Sequence, residues 1–149
     1  MSFDPQSFLD MTIEGSNDTV IVPVPVGEFN AVVEKVDVRQ WVSKADPTKS
    51  GLTLEVLWSI DDAEVKALLG RDKVTCKQGV MLDITEAGGL DMGKGRNVGL
   101  GKLRQALGLN EPGQVFSFNQ IVGQFAKVGV QHRIDGENVY AEVKTVIKM

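Results

Sequence analysis

Residues 88–95 read GGLDMGKG, and Gly88, Gly93 and Lys94 stand at the G-x-x-x-x-G-K spacing of a phosphate-cradling loop. Such a loop needs a Ser or Thr hydroxyl next, to reach Mg²⁺. It also needs a helix that begins at once, so that its first amides face the phosphates. Here Gly95 takes the place of the hydroxyl, Asp91 sets a carboxylate beside the phosphates, and the next helix is expected only after Asn97. Asp83 is the one candidate for a second carboxylate at the end of an apolar strand. The stretch therefore fits a nucleotide badly. It fits a polyanion backbone better: LDMGKGRNVGLGKLR offers glycine amides together with Lys94, Arg96, Lys102 and Arg104. Arginine grips a phosphate through two N–H groups, and lysine acts as a point charge. The plain alternative is an exposed turn whose glycines supply positive φ and whose charges are merely solvated.

A protein that holds single strands joins a positive groove to aromatic faces on which bases stack. The aromatics that alternation turns outward are thus the ones to find. Trp41 follows Arg39 on the face opposite Val36 and Val38, beside a loop with Lys44 and Lys49, and is the best stacking candidate. A Trp capping the barrel end is its structural alternative. Tyr140 opposes the phase of Val139, Ala141 and Val143 and is expected near Arg133; Lys77 and Met81 fall on the outward face of their strand. Trp58 and Phe29 share the phase of core residues, and Phe116 and Phe118 are expected to fasten a loop to the core.

Other chemistry is sparsely supplied. His132 reads as a rim residue, because no nucleophile or partner carboxylate accompanies it. Cys76 lies in phase with apolar neighbours and reads as a small buried hydrophobe. One cysteine and one histidine exclude an internal disulfide framework and argue against a Cys/His zinc site. No catalytic residue, metal site or cofactor is expected.

The positioning elements must come from a chain of 149 residues, 42% hydrophobic, which suits one packed domain. No apolar run approaches the roughly 18–20 residues of a membrane span. The start, MSFDPQSFLD, lacks the order of a secretion signal, so a cytoplasmic setting is expected. Net charge is −4, but the charges are segregated. Six acidic residues and no Lys or Arg occupy Met1 to Glu34, whereas four basic and no acidic residues lie between Met92 and Asn110. Phosphates respond to potential within a Debye length of about 8 Å, so the acidic total does not exclude a basic patch.

Residues 1–26 read as an acidic arm, with Pro23 and Pro25 unsuited to an interior strand. Residues 27–149 read as the folded domain. In GEFNAVVEKVDVRQWV, Phe29, Ala31 and Val33 share one phase, then Val36, Val38 and Val42 take the other, as a β-bulge near Glu34–Lys35 would produce. Strands follow over LTLEVLWSI and VTCKQGVMLDI, with a capped short helix, DDAEVKALLG, between them. Asn97 can cap a helix carrying Leu100, Leu103 and Leu107, and FSFNQIVG adds a helical turn. FAKVGVQHR and NVYAEVKTVI close a hairpin at Asp135–Gly136. The expected fold is all-β with one or two short helices: a five-stranded oligonucleotide/oligosaccharide-binding (OB) barrel, with a helix between strands three and four.

The stretches PVGEFNAVVEKV, GGLDMGKGRNVGLGKLRQALG and VGQFAKVGVQHRIDGENVYAEV resemble phage-encoded single-stranded DNA-binding proteins with this barrel. The resemblance implies coating of exposed strands during phage replication or recombination, and contact with replication or recombination proteins. Several such proteins end in an acidic tail that recruits partners, whereas this sequence ends EVKTVIKM. The expected function is non-enzymatic, largely sequence-independent binding of single-stranded DNA, with RNA left open. Homo-oligomer formation is also open. The alternative is a protein-interaction or phage assembly module on a small barrel, favoured by the overall acidity and few exposed aromatics.

Overall fold

The computed structural model describes residues 3–149; the first two residues of the expected arm lie outside the described residues. Five strands, β1 (Gly27–Val42), β2 (Ser50–Ile60), β3 (Thr75–Leu82), β4 (Phe125–Asp135) and β5 (Asn138–Ile147), form a closed barrel in the order β1-β2-β3-β5-β4. All pairings are antiparallel except β3 with β5, which meet in parallel at Lys77 and Glu142. The barrel is OB-like.

The alternation in each strand accounts for its inner face. Leu54, Val56, Trp58 and Ile60 of β2 are fully buried, and Cys76, Val80 and Leu82 of β3 pack beside them. Burial pushes the Cys76 thiol up to about 11. Trp58 keeps its polar atom satisfied, since Nε1 donates to Gln78 Oε1 at 2.9 Å. The expected bulge in β1 is present as a register shift between Val33 and Lys35. It brings Val36 onto the core after Ala31 and Val33, so one long strand can pair with β4 at its start and β2 along its length. The later valines go further than the phase suggests: Val38 is 46% and Val42 56% exposed. At Val42 the reason is register: the rungs Trp41–Gly51 and Val42–Ser50 have no third strand alongside them, so their far side meets no wall.

Among the described residues three short α-helices accompany the barrel: α1 (Pro5–Leu9), α2 (Ala63–Leu69) and α3 (Val98–Ala106). In α2, Asp62 accepts from the Val65 amide at 3.0 Å and Gly70 ends the helix at φ +64°, as the sequence pattern requires. The helix α3, between β3 and β4 in sequence, buries Leu100 and Leu103, and Leu107 is buried just past its end. A 3₁₀ turn at Phe118–Ile121 carries a Ser117–Gln120 capping box. The closing hairpin turns at Gly136, φ +61°, between the paired Asp135 and Asn138.

Two local expectations need correction. Asn97 does not cap α3 through its side chain; it sits at φ +52°, and its amide group is bonded to another segment. The arm contains a helix, α1, unforeseen from periodicity because it buries nothing: Asp4 accepts from the Gln6 amide at 3.1 Å and Pro5 opens the first turn. Residues 3–22 are exposed. Among the described residues the arm is fixed to the barrel around Val24, whose side chain is buried and whose carbonyl accepts from His132 Nε2 at 2.6 Å, and through Arg71, which donates to the Val22 carbonyl at 3.4 Å. His132 is thus an anchor for the arm. No helix among the described residues is long and apolar enough to cross a membrane.

Candidate nucleic-acid interface

The alternation that buries Cys76, Val80 and Leu82 turns Lys77, Gly79 and Met81 to the outside of β3. Register then decides their neighbours. Arg39, Thr53 and Met81 form one rung across β1, β2 and β3, and Leu57, Lys77 and Glu142 another across β2, β3 and β5. Trp41 stands opposite Gly51, and the indole lies across it. A Cβ at Gly51 would come within 2.6 Å of the ring, so only glycine admits this packing. The Trp41 Nε1 is buried and has no hydrogen-bond partner in the protein.

Three adjoining depressions run along this outer face. The first, about 350 Å³, is lined by Trp41, Gly51, Met81, Asp83, Asp91 and Arg96. The second, about 480 Å³, shares Met81 and continues past Gly79 to Lys102 of α3 and to Lys144 and Thr145 of β5. The third, about 280 Å³, shares Gly79 and Lys144 and contains Arg39, Glu55, Lys77 and Glu142. The strip thus joins the Trp41 indole to Arg96, Lys102, Lys77 and Arg39, which come from three separate parts of the sequence.

Its charge is less lopsided than the sequence suggests. Five cations (Arg39, Lys77, Arg96, Lys102, Lys144) face four carboxylates (Glu55, Asp83, Asp91, Glu142). Arg39 Nε bonds Glu55 at 2.7 Å, Lys144 Nζ lies 3.0 Å from Glu142, and Arg96 Nε stands 3.7 Å from Asp91. Among the described residues Lys77 and Lys102 have no ion-pair partner, so they are the cations readiest for a phosphate. Glu142 also takes Arg133 Nε at 2.7 Å, and the Arg133 hydrogen bond, then that of Lys144, holds its carboxyl below the usual range.

The remaining predicted residues fall in different places. Lys94 is exposed on the glycine loop, outside the lining of the three depressions, and has no ion pair among the described residues. Lys44 and Lys49 are exposed in the loop after Trp41, which is tied by Ser43 N–H to the Lys49 carbonyl and by Thr48 to Asp46. Arg133 stacks 4.8 Å from the Tyr140 ring centroid, and the pair reaches the strip through Glu142. Arg104 is engaged elsewhere: its Nε donates to the Leu109 carbonyl at 3.0 Å and its guanidinium sits 4.2 Å over Phe116. There it secures the segment after α3. Sequence reasoning missed Lys144, although the inward phase of Val143 already placed its neighbours outward.

Asn97 gives the glycine loop its shape. Its Oδ1 accepts from the Asp83 amide at 2.8 Å, and its Nδ2 donates to the carbonyls of Asp83 at 2.9 Å and Asp91 at 3.0 Å. The Asn97 amide in turn donates to Asp83 Oδ2 at 2.7 Å. Within the loop, the Gly93 amide donates to Asp91 Oδ1 at 2.9 Å and the Gly88 amide to the Thr85 carbonyl at 2.9 Å. Amides that a nucleotide phosphate would require are already taken, one of them by a carboxylate. Among the described residues no three His, Cys, Asp or Glu side chains converge as a metal site would need.

A scan against protein-family models finds no match to the chain, and a search of curated proteins finds none either.

Proposed function

We propose that this protein binds single-stranded nucleic acid, DNA above all, without enzymatic turnover and with little sequence preference. The observation that carries the reading is the strip on the outer barrel face, where one indole ring and cations from β1, β3 and α3 line continuous depressions. This is the face, over strands two and three, on which OB barrels take up oligonucleotides. Trp41 supplies a stacking surface that any base can use, and Lys77 and Lys102 neutralise phosphates. The resemblance to phage proteins suggests work on strands exposed in phage replication or recombination, in the cytoplasm of the host.

Because most of the cations already have carboxylate partners, the salt dependence belongs chiefly to the unpaired lysines. Changing Lys77→Ala together with Lys102→Ala is expected to reduce the slope of log affinity against log salt by about 1.4, roughly 0.7 for each phosphate no longer neutralised. Fluorescence anisotropy of a labelled oligonucleotide at several salt concentrations reads this directly. An unchanged slope in the folded double variant would remove the strip from the account.

A second reading, a protein-interaction module, draws on a specific observation. Phe3, Phe8, Leu9, Met11 and Ile13 of the arm are all more than half exposed.

A further inference from the structure

Between β3 and β5 the barrel is closed by one bridge, Lys77 to Glu142. Past it the strands part, and the depression of about 480 Å³ fills the seam, with Leu103 of α3 and Val146 at its apolar lining and Lys102 and Lys144 beside them. Alternate residues of a strand direct their N–H and C=O groups to opposite sides. Among the described residues no strand answers β3 or β5 on this side beyond the bridge. Such edges are templates for an added extended segment.

The arm has the complementary character. Met11 and Ile13, 61% and 72% exposed, alternate with Thr12 and Glu14, a two-residue period suited to an edge. Asp10 and Glu14 flank them, and the described arm before Val22 holds no Lys or Arg. The chain's own barrel leaves these apolar side chains uncovered. The eight residues from Glu14 to the anchor at Val22 can span about 27 Å when extended. That suffices for the segment to leave its own barrel.

From the seam, the charges and the uncovered side chains, we propose that residues Asp10–Glu14 of one copy lie in the β3–β5 seam of a second copy. Met11 and Ile13 cover the apolar lining, and Asp10 and Glu14 face Lys102 and Lys144. The association is between copies of this chain and needs no nucleic acid; because the seam is the Lys102 depression of the strip, an arm seated there competes with a bound strand for it.

Sedimentation velocity of the full chain without nucleic acid, over a range of micromolar concentrations at low salt, tests it. The unaltered protein should associate as concentration rises. A seam variant (Lys102→Glu with Lys144→Glu) and an arm variant (Asp10→Lys with Glu14→Lys) should each associate more weakly by roughly tenfold or more, because like charges then meet. Among the described residues Asp10, Glu14 and Lys102 have no ion pair, Lys144 pairs with Glu142 and Asp10 accepts from Gln6 Nε2 at 3.2 Å, and circular dichroism of each variant checks folding. Mixed together, the two variants should associate again, since a basic arm now meets an acidic seam. An unaltered protein that stays monomeric, association indifferent to both reversals, or a mixture that stays apart would each overturn the proposal.

Discussion

Trp41→Ala is expected to weaken binding of a single-stranded oligonucleotide by roughly 5- to 150-fold at fixed salt, while leaving the salt slope nearly unchanged. The range follows from about 1–3 kcal/mol for one base stacked on an aromatic side chain. The indole lies on Gly51 and borders a depression shared with Arg96, so a base entering there would meet a ring already held in place. Pre-ordering of that kind limits the rotamer entropy lost on binding. The slope should hold because an indole neutralises no phosphate. Trp41→Phe should recover part of the affinity, which a purely structural role would not require. Isothermal binding at two salt concentrations separates the two quantities, and full affinity in the alanine variant would exclude the ring as a stacking platform.

The largest effect on stability is expected at Asn97. Asn97→Ala removes three side-chain hydrogen bonds, to the Asp83 amide and to the carbonyls of Asp83 and Asp91. It also places a residue with a Cβ and no local polar compensation at φ +52°. At about 1 kcal/mol per hydrogen bond, and more where a buried group is left unpaired, the loss should be roughly 3 kcal/mol. For a chain of this size that lowers Tm by about 6–12 °C. Asn97→Gly removes the same bonds yet accepts the backbone, so it should be the milder change. Thermal unfolding followed by circular dichroism distinguishes them. Equal stability of all three proteins would mean that the clasp does not hold the loop.

Some of this molecule could be read from local rules, and some depended on pairings no local rule contains. The phase change at Glu34–Lys35 is a bulge because two-residue alternation cannot otherwise change face within a strand. Gly70 and Gly136 end a helix and turn a hairpin because both positions need positive φ. The outward placement of Lys77 and Met81 follows from alternation alone. Asn97 misled the sequence reading because capping rules look a few residues ahead, while its partner Asp83 lies fourteen residues behind. Arg104 looked like its basic neighbours, yet helical rotation turned it toward Phe116 and the Leu109 carbonyl. Cross-strand register, also absent from the sequence pattern, set Gly51 beneath Trp41 and Glu55 beside Arg39. The last of these matters for function, because it lowers the field that the basic residues promise on paper.

The central claim is that the outer strip of β1, β2 and β3, bounded by α3, is a seat for unpaired strands. The most direct measurement is the affinity of the unaltered protein for matched single-stranded and double-stranded oligonucleotides across a salt series. Contact by Lys77, Lys102 and one to four further cations predicts a single-strand slope between about −2 and −4, together with clear preference for the single strand. Absence of single-strand binding at low salt, or equal affinity for the duplex, would contradict it.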